Sequence, residues 1–103
     1  MADLSQEEWS NQLANDDKAV ILDVRTDAEF EEGHIPGAVQ MDIYNGAEFL
    51  QSAKELDAEK NYYVYCRSGG RSAQACMLLN SVGVKTAYNL LGGFSEWEGE
   101  TAN

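Results

Sequence analysis

The chain is short of cysteine, of positive charge and of long apolar runs, and each shortage closes off a class of protein. Only Cys66 and Cys76 occur among 103 residues, too few for a disulfide framework and without the spaced ligands of a metal site. No apolar run is long enough to span a bilayer. The start, Met1-Ala2-Asp3-Leu4-Ser5, has neither the basic nor the apolar region of a signal peptide, so a cytoplasmic location is expected. Lysine and arginine together number 7 against 18 acidic residues, a formal net charge of -11. A field of that sign repels phosphate backbones and anionic lipid, which argues against nucleic acid or a membrane as partner. With no linker, repeat or low-complexity segment, the length fits one domain over residues 1–103 with a single hydrophobic core.

The scarce positive charge is unevenly placed. Two of the three arginines, Arg67 and Arg71, fall inside Tyr62-Tyr63-Val64-Tyr65-Cys66-Arg67-Ser68-Gly69-Gly70-Arg71-Ser72. The aromatic and β-branched run reads as a buried strand, the glycines as a loop, and Ser72 to Val82 as the helix that follows, with Ala75, Leu79 and Val82 on one stripe. Cys66 then stands at the carboxyl end of a strand, where open α/β sheets bind ligands and where a helix amino terminus offers unpaired N–H groups. A thiol there is expected to ionise readily and to meet anions. Gly69 and Gly70 are expected to give the backbone angles and close approach that a tight cradle needs.

The rest of the chain reads as scaffold for that loop. Ser5 and Glu8 have capping-box spacing, with Leu4 placed to staple onto Trp9, so a short helix is expected from about Gln6 to Leu13. Ala19 to Val24 is apolar but for Asp23, the pattern of a buried parallel strand. Thr26 and Glu29 repeat the capping spacing before a helix that runs to Glu32 and stops at Gly33. A Pro36-Gly37 turn precedes a brief strand, Val39 to Met41, and an amphipathic helix is expected over Gly46 to Leu56. Thr86 to Asn89 is a last strand, and Leu90-Leu91-Gly92-Gly93 turns into a terminal helix bearing Phe94 and Trp97. Alternating strands and helices predict an α/β fold, a mainly parallel central sheet with helices on both faces.

Asp23-Val24-Arg25, Glu29-Phe30, Gly33-His34-Ile35-Pro36-Gly37-Ala38, Cys66 through Ser72, and Leu91-Gly92-Gly93 with Trp97 come in an order and at spacings that resemble the signature of a rhodanese domain, from about Leu4 to Trp97. The resemblance implies a single-domain thiosulfate sulfurtransferase whose Cys66 carries sulfane sulfur as a persulfide, with Arg67, Ser68, Gly69, Gly70, Arg71 and Ser72 binding the substrate. It implies thiosulfate or a protein persulfide as donor, cyanide or a thiol, including one on a protein, as acceptor, and neither metal nor organic cofactor. Such a nucleophile must be a thiolate, and an ordinary thiol, with a pKa of about 8.5, is mostly protonated at neutral pH. Loop N–H groups, a helix terminus and the two arginines supply what lowers it.

Other readings of the same residues compete with this one. Cysteine phosphatases and arsenate reductases also cradle an oxyanion over a cysteine, but their loops hold one residue more between cysteine and arginine than the four found here, so the shorter loop suits a sulfur atom better. A sulfur carrier or an interaction module that keeps the fold without turnover also remains open; interaction modules of the family commonly lack the loop cysteine. Cys76 reads as a small buried hydrophobe. Asp23, Arg25 and Glu29 read as a polar set fastening the first strand to the following turn, and His34 as structural, since an ionised thiol needs no base.

Overall fold

The computed structural model describes residues 2–103; Met1, counted above in the single domain, lies outside the described residues. Strand β1 is Ala2–Leu4 and helix α1 Gln6–Ala14; β2 is Ala19–Asp23, α2 Asp27–Glu32, β3 Val39–Gln40 and α3 Gly46–Lys54. Then come β4 at Asn61–Tyr65, α4 at Gly70–Ser81, β5 at Thr86–Leu90 and a single 3-10 turn at Phe94–Glu96. The strands form one sheet in the order β1-β5-β4-β2-β3, and every pairing is parallel. All carboxyl ends therefore lie along one edge, with β4 in the middle, and Cys66 follows its last residue.

Alternation along the strands divides the core in two. Tyr62 and Val64 of β4 join Leu22, Phe49, Ala53, Ala75, Cys76 and Leu79 beneath α3 and α4. Tyr63 and Tyr65 point the other way, to Trp9 of α1, Ile35 and Leu90, with Phe94 and Trp97 packed alongside. Helices thus cover both faces, because a strand buried on each side must find apolar partners at odd and at even positions. Trp9 is fully buried and meets Tyr63, Tyr65 and Trp97 edge-on, with ring centroids 5.7, 6.3 and 5.8 Å away. Burial of a large apolar side chain stabilises by about 1.5–3 kcal/mol, so this stack contributes heavily to the face that carries α1.

Both capping boxes form: Ser5 with Glu8, and Thr26 with Glu29. Four expectations are corrected. Ala2–Leu4, expected only as the lead-in to α1, is a strand beside β5; Leu4 still packs on the Trp9 cluster ahead of the Ser5 cap, as its placement predicts. Helix α4 starts at Gly70, because left-handed Gly69 turns the chain and its carbonyl accepts the Ala73 N–H at 3.1 Å. The amphipathic helix stops at Lys54, since the Glu55 and Leu56 N–H groups donate three residues back in a tightening last turn. The expected terminal helix is only the 3-10 turn. The Phe94 and Ser95 N–H groups are taken instead by the carbonyls of Cys66 and Arg67, each at 2.9 Å.

Candidate active site

Cys66 is 1 % exposed, and its Sγ is turned toward the amino terminus of α4. The Gly69 N–H donates to Sγ at 3.1 Å, and the Ser72 hydroxyl lies 3.3 Å from it. Burial pushes the thiol up, but hydrogen bonds from the Ser72 hydroxyl and from the backbone of Ser72, Gly69 and Ser68 outweigh it and leave the pKa below the usual cysteine value. Gly69, at φ 107°, has the left-handed backbone that aims its N–H at the sulfur. Gly70 does not: its φ is not positive and a Cβ there would meet nothing within 4 Å, so the expected need for glycine at both positions holds only at Gly69.

The two loop arginines take different places. Arg71 forms a bidentate pair with Glu29, Nη1 to Oε1 at 2.8 Å and Nη2 to Oε2 at 3.0 Å, and lies over the Tyr44 ring at 5.3 Å. The guanidinium holds the Glu29 carboxyl down at about 2, while the same pair raises Arg71. Arg71 therefore clamps α4 to α2, and most of its charge is already answered. Arg67 is exposed, and no carboxylate among the described residues pairs with it. It borders a cleft of about 360 Å³ together with Glu29, Phe94 and Ser95. Ser68 is exposed on the rim of the loop.

The polar set at the end of β2 is a separate structure. Arg25 donates to both oxygens of Asp23, from Nη2 at 2.7 Å and from Nε at 2.9 and 3.1 Å, and its Nη2 also reaches the Gly33 carbonyl at 2.7 Å. Tyr65 Oη donates to Asp23 at 2.6 Å and accepts from the Ile35 N–H at 3.0 Å. These residues fasten β2 to the turn at Gly33; Glu29, expected to join them, has turned to Arg71. His34 stacks on Phe30 with ring centroids 3.7 Å apart and donates from Nδ1 to the Phe30 carbonyl at 2.8 Å, a structural placement. Cys76 is fully buried, and desolvation pushes its thiol up to about 12.

Two residues far along the chain support the loop in ways their own sequence positions do not state. Gly93 lies where a Cβ would stand 2.5 Å from the Arg67 carbonyl oxygen and 2.7 Å from that of Cys66, so only glycine lets the β5 turn buttress the loop this closely. Asn89, 2 % exposed at the end of β5, donates from Nδ2 to the Gly69 carbonyl at 3.2 Å and to Asp3 at 2.9 Å. The Leu91-Gly92-Gly93 signature pointed to the first; nothing in the local sequence around Asn89 marks the second.

A cysteine presented by a glycine loop between a central parallel strand and a helix agrees with what comparison finds: the rhodanese-like domain family matches residues 5–100. The chain belongs to the rhodanese-like domain family. Among solved structures it is similar to a rhodanese-like domain protein from Staphylococcus aureus, 32 % identical, with TM-score 0.81 over 97 % of this chain and 94 % of that one. A putative sulfur carrier protein, YrkF, from Bacillus subtilis is 33 % identical over 96 % of this chain, which spans 52 % of that protein's length. The thiosulfate sulfurtransferase GlpE of Pseudomonas syringae is 35 % identical over 84 % of this chain and 78 % of that protein. Within this rhodanese-like domain, Ser68, Gly69 and Ser72 come together around the Cys66 sulfur, while Gly70 opens α4 and Arg71 is paired with Glu29. Arg67 follows Cys66 in the chain and lines the cleft it shares with Glu29, Phe94 and Ser95.

Proposed function

We propose that the protein is a thiosulfate sulfurtransferase that carries sulfane sulfur on Cys66 as a persulfide. The observation that carries this reading is the cradle itself: a thiol with its pKa lowered, held under backbone N–H groups and followed in the chain by the exposed Arg67. The Cys66 thiolate attacks the outer sulfur of thiosulfate, the S–S bond breaks, and sulfite leaves with the bonding pair. Arg67 neutralises the departing oxyanion, while Arg71, bound to Glu29, keeps α2 and α4 in place around the cleft. The same N–H groups then hold the terminal sulfur of the persulfide. An acceptor, cyanide in the test tube or a thiol, attacks that sulfur and releases the Cys66 thiolate. Two half-reactions through a covalent intermediate give ping-pong kinetics.

The family likeness to GlpE supports thiosulfate as donor. The likeness to a putative sulfur carrier favours a second reading, in which Cys66 takes sulfur from a protein persulfide and hands it on. Initial rates with thiosulfate and cyanide varied together separate them. Parallel double-reciprocal lines, with no turnover in Cys66→Ser, support the enzyme. A persulfide acquired only from a protein donor, with no thiosulfate turnover, favours the carrier.

A further inference from the structure

Ser72 has one hydroxyl proton and two acceptors for it. Its Oγ lies 3.3 Å from Cys66 Sγ and 2.5 Å from Asn89 Oδ1. The orientation of the Asn89 amide is not free, because its other end faces two groups that only accept, the Gly69 carbonyl and the Asp3 carboxylate. Oδ1 must therefore face Ser72, and it is an acceptor too. Ser72 and Asn89 are 0 % and 2 % exposed, so water does not relieve the competition. While Cys66 is a thiol the chain is complete: S–H donates to Ser72, and Ser72 donates to Asn89. Once Cys66 is a thiolate, the hydroxyl either stays on Asn89 and presents lone pairs to the sulfur, or turns to the sulfur and leaves a buried amide oxygen unpaired.

We infer that Asn89 is a positioning residue that draws the Ser72 proton away from Cys66, so that the hydroxyl stabilises the thiolate only in part and the backbone N–H groups carry most of it. Its Nδ2 secures the Gly69 carbonyl and with it the N–H aimed at the sulfur, while its Oδ1 limits how far the cradle stabilises the anion. A thiolate stabilised less strongly is a better nucleophile, since nucleophilicity falls as the thiol pKa falls. The other groups around Cys66 are Arg71 with Glu29 and Tyr44, Arg67 on the loop, Cys76 within α4, Asp23 tied to Arg25, and Asp3 behind Asn89. Of these only Asp3 is touched by the Asn89 change, which removes its hydrogen bond from Nδ2; a carboxylate left without that donor raises a nearby thiol pKa and so works against the fall expected below.

The inference rests on Cys66 acting as a thiolate, but its test reads the thiol itself and needs no sulfur donor. The rate of Cys66 alkylation by iodoacetamide, followed by intact mass across pH, gives the apparent pKa in wild type, Ser72→Ala, Asn89→Ala and the double variant, with melting temperature measured beside it. Removing Ser72 is expected to raise the pKa by no more than about half a unit, because the hydroxyl is shared with Asn89. Removing Asn89 is expected to lower it by about one unit, a tenfold stronger acid, as the freed hydroxyl turns to the sulfur. In the Ser72→Ala background the Asn89 change is expected to lower it no further. Should Asn89→Ala not fold, Ser72→Ala alone decides: a rise of about a unit or more means that the hydroxyl already serves the thiolate, and overturns the inference. A rise in Asn89→Ala overturns it equally, since that is what a merely loosened loop would give.

Discussion

Replacing Gly93 by alanine should damage stability and the cysteine together, although residue 93 carries no chemistry. The new Cβ would lie 2.5 Å from the Arg67 oxygen and 2.7 Å from the Cys66 oxygen, far inside contact distance with backbone that has no rotamer to yield. At φ 57° and ψ -158° the backbone also lies in a region nearly confined to glycine, costing about 1–3 kcal/mol for another residue. Relief requires the turn to move off the loop, which breaks the Phe94 and Ser95 hydrogen bonds to those same carbonyls, each contributing about 1 kcal/mol. The sum is about 3–5 kcal/mol, which for a domain of this length lowers Tm by at least roughly 10 °C. Because the carbonyl that moves belongs to Cys66, the thiol pKa should also rise toward its ordinary value. Thermal melting followed by circular dichroism and pH-dependent alkylation measure the two effects. A Gly93→Ala protein that melts within about 2 °C of wild type and alkylates identically would refute the reasoning.

The two arginines should separate cleanly. Arg67→Ala is expected to raise KM for thiosulfate about tenfold or more with little change in Tm, whereas Arg71→Ala is expected to cost about 1–2 kcal/mol of stability by breaking its partly buried pair with Glu29; steady-state kinetics beside urea denaturation checks both. The Glu29 carboxyl is held near 2 in the folded protein against 4.5 ordinarily, so the unfolded chain binds more protons between those values. Its stabilising contribution is therefore full above pH 4.5 and lost as pH falls toward 2, and the Tm difference between wild type and Glu29→Gln should shrink over that window. Arg25→Ala leaves the fully buried Asp23 with Tyr65 as its side-chain partner, and should cost about 3–5 kcal/mol in urea denaturation while the folded fraction keeps most of its turnover.

What the sequence made legible follows physical lines. The strand through Tyr65 and the loop after it could be read because both signals are local: an unbroken aromatic and β-branched run, Tyr62–Tyr65, buried on both faces, and a glycine that must sit left-handed at residue 69. The start of α4 was read two residues late because its first turn covers the loop, not the core, and so shows no apolar periodicity. β1 was missed because its three residues expose two side chains and gain their strand character from β5 alone. The fate of Arg71 was hidden for another reason. Its partner Glu29 is 42 positions away and already had a local explanation as the closing residue of the Thr26 capping box. Asn89 and Gly93 act through contacts that only the closed sheet brings about.

The central claim is that Cys66 carries sulfur. Intact mass of the protein after brief exposure to thiosulfate, beside Cys66→Ser and followed by cyanide or a thiol, tests it most directly. The account predicts a gain of one sulfur atom that requires Cys66 and disappears on treatment with the acceptor. No gain in wild type, or an equal gain in Cys66→Ser, would contradict it.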